Sequence, residues 1–275
     1  MRGPVSAAGL SFAERYGPWA LVAGASEGLG ASFSRQLASR GLNLLLLARR
    51  PGPLEELAET LRQEHGVEVR TESVDLASPD LKEQLAELTD ELDLGLFIYN
   101  AAYAPIDTFL DCELEDHLKV VDVNVRGPLT LSHYFGKRFA KRGRGGIILM
   151  SSMSGMQGTA MVANYAASKA YSMILAEGLW HELGRSGVDV LACIAGATLT
   201  PNYVSSTEKL PQNWLGRPMD PDAVTTQALT DLGRTPSGIS GGRNRFAATL
   251  LRRFLPRRAA IRLVSKETEH RYGKA

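Results

Sequence analysis

Six short apolar runs recur along the chain: WALVAG (19–24), LNLLLLA (42–48), VEVRTESV (67–74), LGLFIYN (94–100), GIILMS (146–151) and VDVLACIAG (188–196). Near-continuous apolar runs mark strands buried on both faces, because helices cover a parallel sheet above and below. The intervening segments carry helical signals. SRQLASR follows the first run, PLEELAETLRQEHG has proline near its start and glycine just past its end, and a long stretch runs from Glu113 to Arg142. Strand and helix in alternation, joined by right-handed crossovers, predict an α/β fold. It is a doubly wound parallel sheet of six to seven strands with helices on both faces. A seventh strand is expected near 235–242, where TPSGISGG is rich in glycine and poor in β-formers.

With 275 residues and 44% hydrophobic content the chain can bury one full core, so residues 1–275 are expected to form a single domain. A formal charge of +1 offers no basic footprint for nucleic acid. Two cysteines, Cys112 and Cys193, are too few and too far apart for a disulfide framework or a structural zinc site. They point to a reducing, cytoplasmic setting. The segment MRGPVSAAGLSFAERYGPWA lacks a signal peptide's apolar core, and no window approaches the roughly 18 apolar residues needed to cross a bilayer. An irregular stretch at about 197–221 has the length of a functional flap.

The first run passes into GASEGLG, Gly24 to Gly30, and then into a helix. Glycines there allow a tight turn and close backbone approach to a pyrophosphate held at a helix N-terminus. A plain strand-to-helix turn has the same signature. After the second run stands Arg49, beside Arg50, where a carboxylate would accept from a ribose hydroxyl and a guanidinium would pair with a 2′-phosphate. Arg49 therefore favours NADPH over NADH, and Glu27 inside the turn opposes a phosphate. Asp75 and Asn100 close the third and fourth runs, at crevice positions that also suit turn capping.

In ANYAASKA, Tyr165 and Lys169 are four apart and share one helix face, with Ser152 thirteen residues upstream of the tyrosine. An ammonium there is expected to lower the phenol's pKa toward working pH, which suits a general acid or base.

Taken together, these motifs resemble the classical short-chain dehydrogenase/reductase family, from Trp19 to about Gly233, with its Rossmann-like three-layer α/β/α fold. Within it, RYGPWALVAGASEGLG and ARRPGPLEELAETLRQE resemble the 3-oxoacyl and 17β-hydroxysteroid reductase branch. The resemblance implies Asn124, Ser152, Tyr165 and Lys169 as catalytic residues. Tyr165 would exchange a proton with a carbonyl or alcohol oxygen, Ser152 would hydrogen-bond that oxygen, and Lys169 would hold the nicotinamide ribose. Asn124 would hold a water linking the lysine to solvent. The cofactor contacts implied are Gly24, Ser26, Gly28, Leu29, Gly30, Arg49, Asp75, Leu76, Asn100, Ala101, Tyr165, Lys169, Gly196 and Thr200. NADP(H) is expected in preference to NAD(H), and no metal. The substrate implied is a bulky hydrophobic carbonyl or alcohol, steroid-like or acyl-chain-like, and the assembly a homodimer or homotetramer. A catalytically silent dinucleotide-binding scaffold or redox sensor is the alternative. Ala23, Ala102 and Ala195 replace the family's usual threonine, glycine and proline, and Tyr103 is expected to narrow the substrate entrance. Tyr203, Trp214, Leu215 and Met219 of the flap are expected to furnish an apolar pocket.

From Arg243 to Ala275, ten Lys or Arg stand against Glu267 and Glu269, a net of +8 that leaves −7 for the rest. Such a basic amphipathic segment fits a terminal helix packed on the body or on a sister subunit, peripheral contact with an anionic membrane, or reception of an acyl-CoA phosphate.

Overall fold

The computed structural model describes residues 10–207 and 217–272. One parallel sheet contains β1 (Trp19–Ala23), β2 (Asn43–Ala48), β3 (Val69–Ser73), β4 (Leu94–Tyr99), β5 (Gly145–Ser152), β6 (Val188–Ala195) and β7 (Ser237–Ile239). Its order is β3-β2-β1-β4-β5-β6-β7. The chain winds outward from β1 through β2 to β3, then returns to start β4 on the other side of β1. That reversal opens a crevice at the carboxyl ends of β1 and β4, where such folds bind ligands.

Helices α1 (Phe12–Tyr16), α2 (Gly28–Ala38), α3 (Pro51–His65), α4 (Leu81–Thr89), α5 (Leu114–Val121), α6 (Gly127–Arg142), α7 (Ala163–Gly184), α8 (Pro201–Ser206), α9 (Pro221–Asp231), α10 (Gly242–Phe254) and α11 (Arg257–Arg271) surround the sheet. The period-two alternation of the strands sorts the core into two layers. Val22, Leu44, Leu46 and Ile148 meet Phe33 and Leu37 of α2, Leu54 and Leu61 of α3, and Val224 of α9. Leu21, Leu45, Leu47 and Ile147 meet Leu85 of α4, Phe135 and Phe139 of α6, and Ala176 of α7. The expected helix after β2 runs from Pro51 to a C-cap at Gly66, whose φ of 67° lies in the left-handed region.

The stretch expected as one long helix is α5 and α6 joined through a π-helical turn, Asp122–Arg126. The seventh strand has only three residues, paired through Ala192↔Ser237, Cys193↔Gly238 and Ile194↔Ile239. With two small residues among the three it has little side chain to bury, as its composition suggests.

Trp214 and Leu215 of the expected flap lie outside the described residues. The flap's base is a bridge between Thr198 and Met219. Met219 packs against the core layer of α2 and α9, and a Cβ on Gly241 would meet its sulfur at 2.6 Å. This corrects the expectation that Met219 lines the pocket, since its side chain anchors the flap instead.

The basic C-terminal segment folds back on the body. Ala248 and Ala260 are buried, Arg257 donates to the Met156 carbonyl at 2.9 Å, and the Ala160 N–H donates to Ser265 Oγ at 3.1 Å. No helix among the described residues is long and apolar enough to cross a membrane.

Candidate active site

The glycine turn sits directly on the end of β1. Gly24 and Gly28 adopt φ values of 82° and 57°, where side chains other than glycine's are strained. A Cβ on Gly24 would meet Ala101 Cα at 2.7 Å, and one on Gly28 would meet Thr200 Cγ2 at 2.9 Å. On Gly30 it would overlap the Gly24 carbonyl. Glu27, the N-cap of α2, makes no side-chain capping bond, so the helix's first N–H groups face the crevice without a side-chain acceptor. A tight turn with glycine at 24, 28 and 30, set at a helix N-terminus, fits a dinucleotide pyrophosphate. Ser26 is half-buried in the turn, and Leu29 lines the cavity beyond it.

Asn100 pins β4 to this turn, its side-chain amide donating to the Gly24 carbonyl at 2.8 Å. The N–H groups of Asn100 and Ala101 both donate to the Ala23 carbonyl, at 3.0 and 2.9 Å. Asp75 accepts from the Ala77 N–H at 3.0 Å, closing the turn that buries Leu76. Arg49 is exposed and makes no ion pair among the described residues. Arg50 pairs with Glu27 at 2.7 Å, offsetting the acidic charge that the sequence places in the turn. Nothing in their separation along the chain signals that pairing.

Strand β5 delivers Ser152 opposite Ala195 of β6, and the first two turns of α7 deliver Tyr165 and Lys169. Ser151 Oγ donates to the Lys169 carbonyl at 2.7 Å, tying strand to helix. Lys169 is 4% exposed; its Nζ donates to the Met150 carbonyl at 2.9 Å and lies 5.6 Å from the centre of the Tyr165 ring. Burial pulls the Lys169 ammonium down to about 8.

Tyr165 departs from expectation. Burial pushes its phenol up to about 12, opposed by a hydrogen bond with Ser152 and reinforced by Tyr272. The i, i+4 ammonium was expected to lower it. Here the ammonium is held by a strand carbonyl, and the low-dielectric wall disfavours phenolate and ammonium alike.

Asn124 lies in the π-helical turn, 1% exposed. Its side chain clamps Tyr103, accepting from the Tyr103 N–H and donating to the Tyr103 carbonyl, both at 2.8 Å. It also donates to Ser168 Oγ at 3.1 Å. The Tyr103 side chain does not narrow the entrance. Its hydroxyl donates to Asp116 at 2.5 Å, and Lys119 covers its ring at 4.9 Å, which turns it away from the cavity.

A cavity of about 400 Å³ joins these parts. Asn100, Ser152, Tyr165 and Lys169 form one wall, and Gly196, Thr200 and Tyr203 a second. Thr200 Oγ1 caps α8 by accepting from the Tyr203 N–H at 3.2 Å. A third wall comes from Ala247 and Leu251 of α10, from Val264 and Arg271 of α11, and from Tyr272 just after it. A Cβ on Gly196 would overlap the Asn244 side chain of α10, so that glycine admits the C-terminal helix. Sequence reasoning missed this wall, and its only signal was Leu251 and Val264 interspersed among charges. The hydroxyl of Tyr203 and Nε of Arg271 are buried without a hydrogen-bond partner among the described residues.

The short chain dehydrogenase family model matches residues 18–211. A 7β-hydroxysteroid dehydrogenase from Clostridium sardiniense is 34% identical over 236 residues, 86% of this chain and 90% of that protein. A solved structure from work on 7β-hydroxysteroid dehydrogenase stereoselectivity superposes with a TM-score of 0.86 at 30% identity, covering 93% of this chain and 99% of that one. A short-chain dehydrogenase from Sphingobium yanoikuyae, solved in complex with NADPH, gives 0.73 at 30% identity over 81% and 87% of the two chains. On this footing the chain belongs to the short-chain dehydrogenase family of nicotinamide-dependent oxidoreductases.

Proposed function

We propose that this chain is an NADP(H)-dependent oxidoreductase that interconverts a carbonyl and a secondary alcohol on a bulky hydrophobic substrate, steroid-like or acyl-chain-like. The observation that carries the reading is the convergence of Ser152, Tyr165 and Lys169 on one wall of a cavity of about 400 Å³ that the glycine turn adjoins. The 7β-hydroxysteroid dehydrogenase relative supports a steroid-sized substrate. The exposed Arg49 supports NADP(H), with NAD(H) as the weaker alternative.

When bound, the nicotinamide supplies or accepts the hydride. Ser152 donates a hydrogen bond to the reacting oxygen and stabilises charge as it develops there. Tyr165 delivers a proton to the same oxygen in reduction and removes it in oxidation. A phenol at about 12 is neutral at physiological pH, the protonation state that reduction requires. Lys169 binds the cofactor's ribose, and Asn124 positions the Tyr103 backbone and α7.

Apolar side chains exposed on the α5–α6 and α7 helices, among them Leu114, Leu118, Leu129, Ile174 and Trp180, support a homodimer or homotetramer built on those helices. Free Cys112 and Cys193 are in keeping with a cytoplasmic setting. A second reading is a catalytically silent dinucleotide-binding scaffold or redox sensor.

The two readings separate when the protein is mixed with NADPH and a panel of steroid and acyl-chain ketones while reduced-nicotinamide absorbance is followed. Turnover of at least one ketone, lost in Tyr165→Phe, is expected. NADPH binding without turnover of any ketone would overturn the enzymatic reading and leave the scaffold.

A further inference from the structure

We propose that the outward face of α10 is a docking surface for an anionic lipid bilayer. Phe246, Leu250 and Phe254 are 56%, 41% and 68% exposed. Their spacing of four and four places them in one stripe along the helix. Large apolar side chains in a contiguous stripe mark an interaction surface rather than the ordinary scatter of single exposed residues.

The surrounding charge selects the occupant. Arg245 and Arg253 are exposed on the same helix, and Arg257 and Arg258 follow at its end. Arg253 and Arg258 make no ion pair among the described residues. On α11, Arg258, Arg262 and Lys266 repeat at intervals of four and are all exposed. Apolar side chains rimmed by exposed cations, of which Arg245 and Arg257 also donate to the Ile239 and Met156 carbonyls, fit an interface of acyl chains and anionic headgroups, where each cation near the surface adds to binding. A second copy seated on the stripe across a twofold axis would set arginine against arginine.

The helix is held from behind. Ala248 is buried against Met156 and Ile194, while Ala247 and Leu251 line the cavity. One side of α10 thus walls the cavity and another faces outward. The docking itself is independent of the reaction.

Sedimentation of the full-length protein with vesicles tests the proposal, using phosphatidylcholine alone and equal parts phosphatidylcholine and phosphatidylglycerol. Binding to the mixed vesicles alone, abolished by high salt, is expected. Arg245→Gln/Arg253→Gln/Arg258→Gln should weaken it about a hundredfold for three charges removed. Phe246→Ser/Leu250→Ser/Phe254→Ser should abolish it, with mass by light scattering and NADPH affinity unchanged. Absence of binding to mixed vesicles, or equal binding by both variants, would overturn the proposal. So would a fall in assembly mass in the apolar variant, which would assign the face to a second copy of the chain. NADPH affinity and turnover are read separately, so failure of the docking is distinguishable from failure of the proposed reaction.

Discussion

The two sides of the cavity are built on different principles. On the sheet side, Asn100, Ser152, Tyr165 and Lys169 stand at the ends of strands or in the opening turns of a long helix, braced by hydrogen bonds to main-chain carbonyls of Gly24 and Met150. On the C-terminal side, α8, α10, α11 and the residue after it contribute Tyr203, Leu251, Val264 and Tyr272, attached through side-chain contacts such as Thr159 with Thr268. The first side has little freedom, because moving any group breaks the sheet or the turn beneath it. The proposed chemistry is thus mounted on the rigid side, and the proposed substrate-selecting shape on the adaptable one.

Substitutions on the two sides should therefore separate rate from selectivity. The largest effect is expected from Tyr165→Phe, which removes the proposed proton donor. Turnover followed by nicotinamide absorbance should fall by about 10²–10⁴-fold, while NADPH affinity from fluorescence titration stays the same. A comparable fall in affinity would mean that the tyrosine only shapes the cofactor cleft.

Lys169→Met should raise thermal stability as it abolishes turnover. The buried ammonium has its pKa pulled from 10.5 to about 8, so between those values the unfolded chain binds more protons and stability rises with pH. Below about 8 the charge destabilises the fold by roughly 3 kcal/mol. Calorimetry should find the variant more stable at pH 7, with the gap closing from pH 8 toward 10.5. A gap independent of pH would mean that the lysine is not buried in its charged form.

On the C-terminal side, Leu251→Ala should lower kcat/KM for a bulky ketone by about 10–200-fold, leaving small ketones and NADPH affinity nearly unaffected. Equal losses for large and small ketones would blur the division between the two walls. The smallest effect belongs to the Arg50–Glu27 pair, which is largely exposed. Arg50→Gln should change stability by less than about 1 kcal/mol and weaken NADPH modestly by leaving Glu27 uncompensated, as titration would show.

The sheet side was legible in the sequence because its signals are local. LNLLLLA must be buried on both faces, GASEGLG must turn sharply after a strand, and Tyr165 and Lys169, four apart, must share a helix face. The other wall was illegible because it is set by distant contacts: Gly196 accepts Asn244 only once α10 has folded back, 48 residues later in the chain. The direction of the Tyr165 shift was misjudged for a related reason. Spacing along a helix reports which groups are neighbours, whereas the depth of the wall that encloses them is a property of the whole fold.

The π-helical turn at Asp122–Arg126 has a further consequence for how this chain can be altered. One extra residue in a helical ladder is a phase slip of about 100°, so α5 and α6 are continuous in backbone yet out of phase in the faces they present. Excising a single residue from the turn would restore a uniform helix and rotate everything on one side of the cut. Leu131 and Phe135 would turn off the sheet or Val120 out of its pocket, so the tolerance of this helix to insertion and deletion is narrower than its length suggests.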